Sequence, residues 1–317
     1  HPLFGGLSKA FLTGVQTESL TGGIPEHLFF AFQMTFAIIT PALIIGAVVE
    51  RMKLSALLLF LSAWSLLVYA PVCHWVWGPG GFLAGWGVKD LAGGIVVHLT
   101  AGVAALVACI EVGERRGPQS KLPLRPHSLS MCFTGAGMLW VGWFGFNAGS
   151  GLAADVNAAQ TLVVTHLSAV TATVAWVLAD YFEPYFSDTP FCPVKPSLLG
   201  AVTGSIAGLA AITPASGDVG PLGALAIGGT AGIICWTASN RVKAYFGYDD
   251  TLDVVGVHGV GGLVGIIGVA FFASETLGGK GVESITDQLV IQLAASGIVI
   301  AYTAAVTFAI LRAVKLA

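Results

Sequence analysis

DDTLDVVGVHGVGG, running from Asp249 to Gly262, is the stretch whose reading decides what kind of chain this is. Acidic residues lead into an apolar, glycine-rich run that holds a single ionisable side chain, His258. Asp90 to Gly102, DLAGGIVVHLTAG, repeats the design with His98 at its centre. An imidazole among small and aliphatic residues is costly to bury unless something pairs with it. The solvent around these two stretches therefore fixes what they can be.

That solvent is lipid. The 317 residues are 55% hydrophobic and only 10% charged, with a mean hydropathy of +0.83. A soluble domain carries about 25% charged residues, so this chain cannot cover itself in water. It reads as an all-α integral membrane protein, a polytopic helix bundle, because an open sheet leaves its backbone unsatisfied in lipid. Apolar stretches of the ~18–25 residues needed to cross a bilayer fall near 28–49, 54–72, 91–110, 128–147, 159–180, 196–213, 219–239, 254–273 and 287–312. These are about nine spans in one domain covering 1–317, after a Gly/Thr-rich extramembrane lead-in at 1–26.

Charge orients them. Of the 14 basic residues, Arg51, Lys53, Arg115, Arg116, Lys121, Arg125, Lys195, Arg241, Lys243, Arg312 and Lys315 fall on one side of the series, against Lys9, Lys89 and Lys280 on the other. The positive-inside rule then puts the C-terminus in the cytoplasm and His1 outside, in the cell (plasma or inner) membrane. No basic run is dense enough for nucleic acid. The five cysteines (Cys73, Cys109, Cys132, Cys192, Cys235) lack the spacing of a zinc site or a disulfide framework. No cofactor and no metal is expected.

Three histidines lie within the expected spans: His98, His166 and His258. Ionisable groups inside a membrane are functional candidates by default. His166, beside Thr165 and Ser168, reads as a structural histidine bonded to a neighbour. His98 and His258 differ, because Gly94 and Gly102 flank the first at one turn and Gly262 follows the second. Each histidine thus sits on a slim helix face where another helix can approach closely. At 1.5 Å per residue, His98 lies about 12 Å past Asp90 and His258 about 8 Å past Asp253. The two enter from opposite faces, and imidazoles meeting at that depth could share a proton. Asp253 is expected as a helix N-cap. Asp90 reads either as a cap or as a negative charge favouring a cation near the outer mouth.

Orientation also brings Phe32, Phe36, Trp77, Phe146 and the hydroxyl of Ser150 toward the outer side. A desolvated cation over a Trp face gains about 2 kcal/mol or more, and the hydroxyl can accept a hydrogen bond from a small cation. The spans lack a central acidic residue that a permanent cation path would want. An outer cation site above an uncharged interior with two histidines suits a cation able to lose its charge.

These residues resemble the ammonium transporter (Amt) family. The stretches that carry the likeness are FQMTF at Phe32–Phe36 with ITPALIIGAVVERMK after it, WVWGPGG around Trp77, DLAGGIVVHLTAG, GWFGFNAGS at Gly142–Ser150, KPSLLGAVTGSIAGLAAITPASG at Lys195–Gly217, and DDTLDVVGVHGVGG. They are long, specific and in order across nearly the whole chain. The resemblance implies an external ammonium-recruitment site at Trp77, Phe32, Phe36 and Ser150, supported by Asp90, and a stacked gate of Phe36 and Phe146. It implies a pore lined by the twin histidines His98 and His258, with Trp143, Tyr69, Leu139, Leu43 and Val254 at other pore or vestibule positions. Trp77 together with Ser150 looks like the Amt branch rather than the Rhesus branch. Ammonium (methylammonium as analogue) is the implied substrate, in a homotrimer surrounded by lipid, with a PII-type regulatory protein as a cytoplasmic partner. Family members have eleven spans as two inverted repeats plus a last helix. The first two spans and the cytoplasmic tail are therefore expected to be missing from this stretch of sequence.

The expected activity is transport rather than enzymatic turnover: ammonium is recruited and deprotonated, and ammonia is conducted past the histidines. An ammonium sensor shares the outer site and is the alternative. A membrane cytochrome using His98 and His258 as haem ligands would call for further facing histidine pairs, which the sequence lacks.

Overall fold

A computed structural model describes residues 1–116, 126–186 and 196–316. Cys192 and the basic residues Lys121, Arg125 and Lys195 lie outside the described residues. A helix stands at each of the nine expected positions. These helices are α1 (Glu26–Val48), α2 (54–77), α3 (Gly94–Val112), α4 (Leu129–Gly149), α5 (Val156–Phe186), α6 (Leu198–Ile212), α7 (Pro221–Phe246), α8 (Val255–Phe272) and α9 (Ile285–Leu316). Among the described residues eight are long and apolar enough to cross a membrane, while α6, with 15 residues, is shorter. A two-stranded antiparallel hairpin, β1 (Leu20–Thr21) and β2 (Ile24–Pro25), precedes α1.

The second helix runs past the expected residue 72 to Trp77, through Pro71. A proline inside a helix leaves the carbonyl four residues earlier without its donor. Here that carbonyl, on Leu67, accepts the Tyr302 hydroxyl of α9 at 2.6 Å, so the helix continues. A π-helical turn at Ser65–Tyr69 immediately precedes the proline. His74 consequently lies within this helix as well.

Among the described residues two large apolar cores form, beside a small cluster around Trp143 and Leu209. One joins α1, α2, α3 and the inner face of α9 around Trp64, Phe60, Ile44 and Leu99. The other joins α5, α6, α7 and α8 around Trp176, Ile212, Ile227 and Val269. The second is built on small residues. A Cβ added to Gly204, Gly208, Gly228 or Gly232 would collide with α5 at Trp176, Ala172 or Ser168, so those helices touch backbone to backbone. The two cores meet where α3 crosses α8, and Gly102 and Gly259 lie at that crossing. α9 clasps both, because the Gln292 amide group takes the backbone N–H and C=O of Lys89 and reaches the carbonyl of Ile266 on α8.

At the charge-rich end of the bundle, Arg51 ties three segments together. It donates to the carbonyl of Ala47 in the last turn of α1, to Gly113 at the end of α3 (2.7 Å), and to Asp249 ahead of α8. A guanidinium at helix C-termini is favoured by their unpaired carbonyls and dipole. Arg115 grips the Asp249 carboxylate through its backbone N–H and its side chain. Those hydrogen bonds, led by the Arg115 side chain, hold the Asp249 carboxyl down at about 2.

Candidate functional site

Both histidines sit in π-helical first turns, Gly94–Leu99 for His98 and Val255–Val260 for His258. Each of those helices starts inside the protein, where its first N–H groups need partners. Asp90 supplies them for α3: its carboxylate accepts from the N–H groups of Gly93, Gly94, Ile95 and Val96 at 2.5–3.2 Å. Gly93 makes the turn with φ 114°, a backbone state open to glycine, and its carbonyl receives both Val97 and His98 N–H at 2.9 Å.

For α8 the expected cap was Asp253. The structure corrects this. Asp253, at φ 57°, turns its carboxylate to Lys243, and Asp250 accepts the Val255 N–H at 2.8 Å. The sequence held the signal, since Asp90 precedes His98 by the same interval as Asp250 precedes His258, and each carboxylate reaches the N–H five residues on. Asp253 is merely the nearer acid. Burial pushes the Asp90 and Asp250 carboxyls up to about 6, against backbone N–H bonds that pull them down.

The imidazoles meet as the glycine spacing suggested. Nδ1 of His98 and Nδ1 of His258 are 3.2 Å apart, with the rings 5.2 Å between centroids and near parallel at 21°. One Nδ1 must carry the proton and the other accept it. Among the described residues no group of three His, Cys, Asp or Glu has metal-site geometry. Nε2 of His98 is buried without a protein partner.

Two cavities are lined by the expected site residues. The first, about 810 Å³, is lined by Phe32, Phe36, Tyr69, Trp77 and Ser150, with Gln33 beside them. The second, about 440 Å³, is lined by Leu43, His98, Leu139, Trp143, Phe146 and His258, among others. Phe36 belongs to the first and Phe146 to the second, and their rings stack at 4.4 Å and 24°. The stacked phenyl pair thus has one ring in the lining of each cavity. Phe36 also takes Phe32 and Trp77 edge-on at 4.9 and 5.5 Å. Trp77 is fixed by its indole N–H, which donates to the Asp90 carbonyl at 2.7 Å. Ser150 donates to the carbonyl of Phe146 at 2.8 Å, which leaves its oxygen lone pairs free to accept.

Not every expected site residue falls on this path. Val254 is buried against Gly46 and lines neither cavity. Tyr69 lines the aromatic cavity and not the histidine one. The Asp90 carboxylate faces backbone N–H groups and lines neither cavity, so it caps α3, while its main-chain carbonyl holds Trp77. His166 lies exposed on α5, its ring near Trp140 (5.4 Å) and Phe144 (5.9 Å) of α4.

A polytopic helical membrane protein with an aromatic cavity, a stacked phenyl pair and a buried histidine pair fits the class of membrane transporters and channels. The sequence pattern of the Ammonium Transporter Family matches residues 4–317. The ammonium transporter of Bacillus subtilis is 41% identical over 322 residues, covering 100% of this chain and 76% of its own length. Ammonium transporter Amt1 of Archaeoglobus fulgidus is 41% identical over 318 residues, covering 99% and 76%. The crystal structure of Candida albicans Mep2 superposes with a TM-score of 0.88 at 35% identity, over 99% of this chain and 70% of that one. A structure described as a sensor Amt protein gives 0.86 at 28% identity, over 99% and 79%. The chain belongs to the Ammonium Transporter Family.

Proposed function

We propose that this protein moves ammonium across the cell membrane by stripping its proton between the two cavities. Ammonium is drawn into the aromatic cavity, where the Trp77 and Phe36 faces offer cation–π attraction and the Ser150 oxygen accepts an N–H. Closure of the Phe36/Phe146 gate excludes bulk water. The ion then faces the apolar histidine cavity, which offers no counter-charge, and entering it as neutral ammonia avoids the cost of burying an unpaired cation. The 3.2 Å contact between His98 and His258 is the single observation that carries the reading. It offers a site where the released proton can be taken and passed. Potassium cannot shed its charge and has no N–H to donate, so the same path rejects it. Orientation follows from the basic residues, with the aromatic cavity outside and the Arg51/Arg115 knot in the cytoplasm. We infer a homotrimer in lipid, with one path per subunit and a PII-type regulator on the cytoplasmic face.

A second reading is that binding, and not flux, is the function, as the likeness to a sensor Amt protein suggests. Methylammonium uptake into vesicles holding the full chain separates the two. Saturable uptake with a proton-coupled current is expected, abolished or made unselective by His98→Ala or His258→Ala. Ammonium binding without flux would reverse the order of the two readings.

A further inference from the structure

Trp143 and Phe146 form the wall of the histidine cavity facing His98, and the Trp143 ring lies 5.4 Å from the His98 ring at 19°. An indole has one N–H donor and no acceptor, so in a dry wall its orientation depends on where that N–H goes. It goes to Thr213, whose Oγ1 accepts it at 2.9 Å. Thr213 lies one residue beyond α6, fully buried, and lines neither cavity. Its hydroxyl in turn offers its proton to the Leu209 carbonyl at 2.8 Å and to Asn147 Oδ1 at 3.3 Å. Asn147 donates to Thr165, and Thr165 to the Thr161 carbonyl, so the chain continues through buried groups. The next residue, Pro214, packs against Gly94 at the start of the His98 helix, and its carbonyl accepts the Leu91 N–H at 3.1 Å. One turn of chain therefore places both the indole and the first turn that carries His98.

We propose that Thr213 is a positioning residue for transport. Its hydroxyl takes up the Trp143 N–H, holds the ring flat against His98, and leaves the cavity wall beside the histidine pair without a donor. This rests on the transport reading above. Without the acceptor, the indole is left with an unmade hydrogen bond, which favours turning the N–H into the cavity. There it would bind ammonia in passage and slow the step after recruitment.

The test is initial-rate methylammonium uptake by the full chain in vesicles, with Thr213→Val, Thr213→Ser, Trp143→Phe and the Trp143→Phe/Thr213→Val double variant. T213V is expected to lower the maximal rate about tenfold, the scale of one lost buried hydrogen bond, while half-saturation, set at the aromatic cavity, stays put. T213S should restore the rate. In the Trp143→Phe background T213V should cost less than about twofold, because the two act as a coupled pair. A wild-type rate in T213V, a failure of T213S equal to that of T213V, or the same tenfold loss in both backgrounds would overturn the proposal. The Trp143 indole N–H resonance, assigned by its loss in Trp143→Phe, provides a readout independent of flux. It should shift in T213V and not in T213S, and a fixed resonance refutes the proposal even if the protein proves to be a sensor. If T213V does not fold, Thr213→Ala removes the same acceptor with less bulk and is read identically.

Discussion

Gly102→Ala probes the crossing that brings the histidines together. A Cβ on Gly102 would run into the Gly259 backbone, nearest at its Cα and 2.5 Å from its nitrogen, at least about 1 Å inside the ~3.5 Å of an ordinary contact. Backbone meets backbone here, so no side chain can swing away. The helices must part by about that 1 Å, which opens the 3.2 Å Nδ1–Nδ1 contact to roughly 4 Å, past hydrogen-bond range. The overpacking should cost about 1–3 kcal/mol of stability. Gly259→Ala offers an internal control at the same crossing: its Cβ would lie 3.1 Å from Gly102 Cα, tight but relieved by a few tenths of an ångström. The ordering expected in uptake and current assays is wild type, then G259A slightly reduced, then G102A reduced at least about tenfold, with ammonium binding at the aromatic cavity preserved in all three. G102A with wild-type flux and stability, or G259A as damaging as G102A, would show that the glycine crossing does not set the histidine contact.

Asp250→Ala should destabilise the purified protein by about 1–3 kcal/mol, because it uncovers buried N–H groups at the start of α8. Asp253→Ala removes a part-exposed ion pair with Lys243 and should cost no more than ~1 kcal/mol; equal losses in thermal unfolding would return the cap to Asp253. The Asp249 carboxyl is held at about 2, below its unfolded value of about 3.9. Its contribution is therefore full above pH ~4 and disappears as pH falls toward 2, so the stability gap between wild type and Asp249→Asn should close over that window; a gap that persists at pH 2 would contradict the Arg115 pairing. Trp77→Leu removes about 2 kcal/mol of cation–π attraction and should raise half-saturation for methylammonium roughly 30-fold; an unchanged value would remove Trp77 from recruitment.

Much of this was legible because lipid simplifies the code. Spans announce themselves as unbroken apolar runs, but their ends are less legible: α5 and α7 continue past the expected 180 and 239 to Phe186 and Phe246. Pro71 signals a stop, and only the Tyr302 hydroxyl, far along the chain, explains why α2 continues to Trp77. His98 and His258 stood out as ionisable residues beside glycines. Their π-helical turns did not, because nothing local distinguishes VVHL or GVHG from ordinary helix. Asp253 is the acid next to the apolar run, whereas the matched interval from Asp90 to His98 points to Asp250. Thr213 lies within the family-like stretch Lys195–Gly217, but nothing there marks its role, which is a single hydrogen bond to a residue on another helix.

The π turns have a further meaning for how the centre of the protein can vary. A π turn spends one more residue per hydrogen-bonded loop than an α turn. Each histidine therefore owes its angular position to one residue of surplus length in its own helix. Deleting a single residue between Asp90 and His98, or between Asp250 and His258, would let the turn relax to α geometry and rotate its imidazole by about 100°, one residue's share of an α turn. Substitutions along these segments can be graded by size, whereas changes in length cannot: the pair is set by counting, and one residue either way on one side alone would leave two histidines facing different helices.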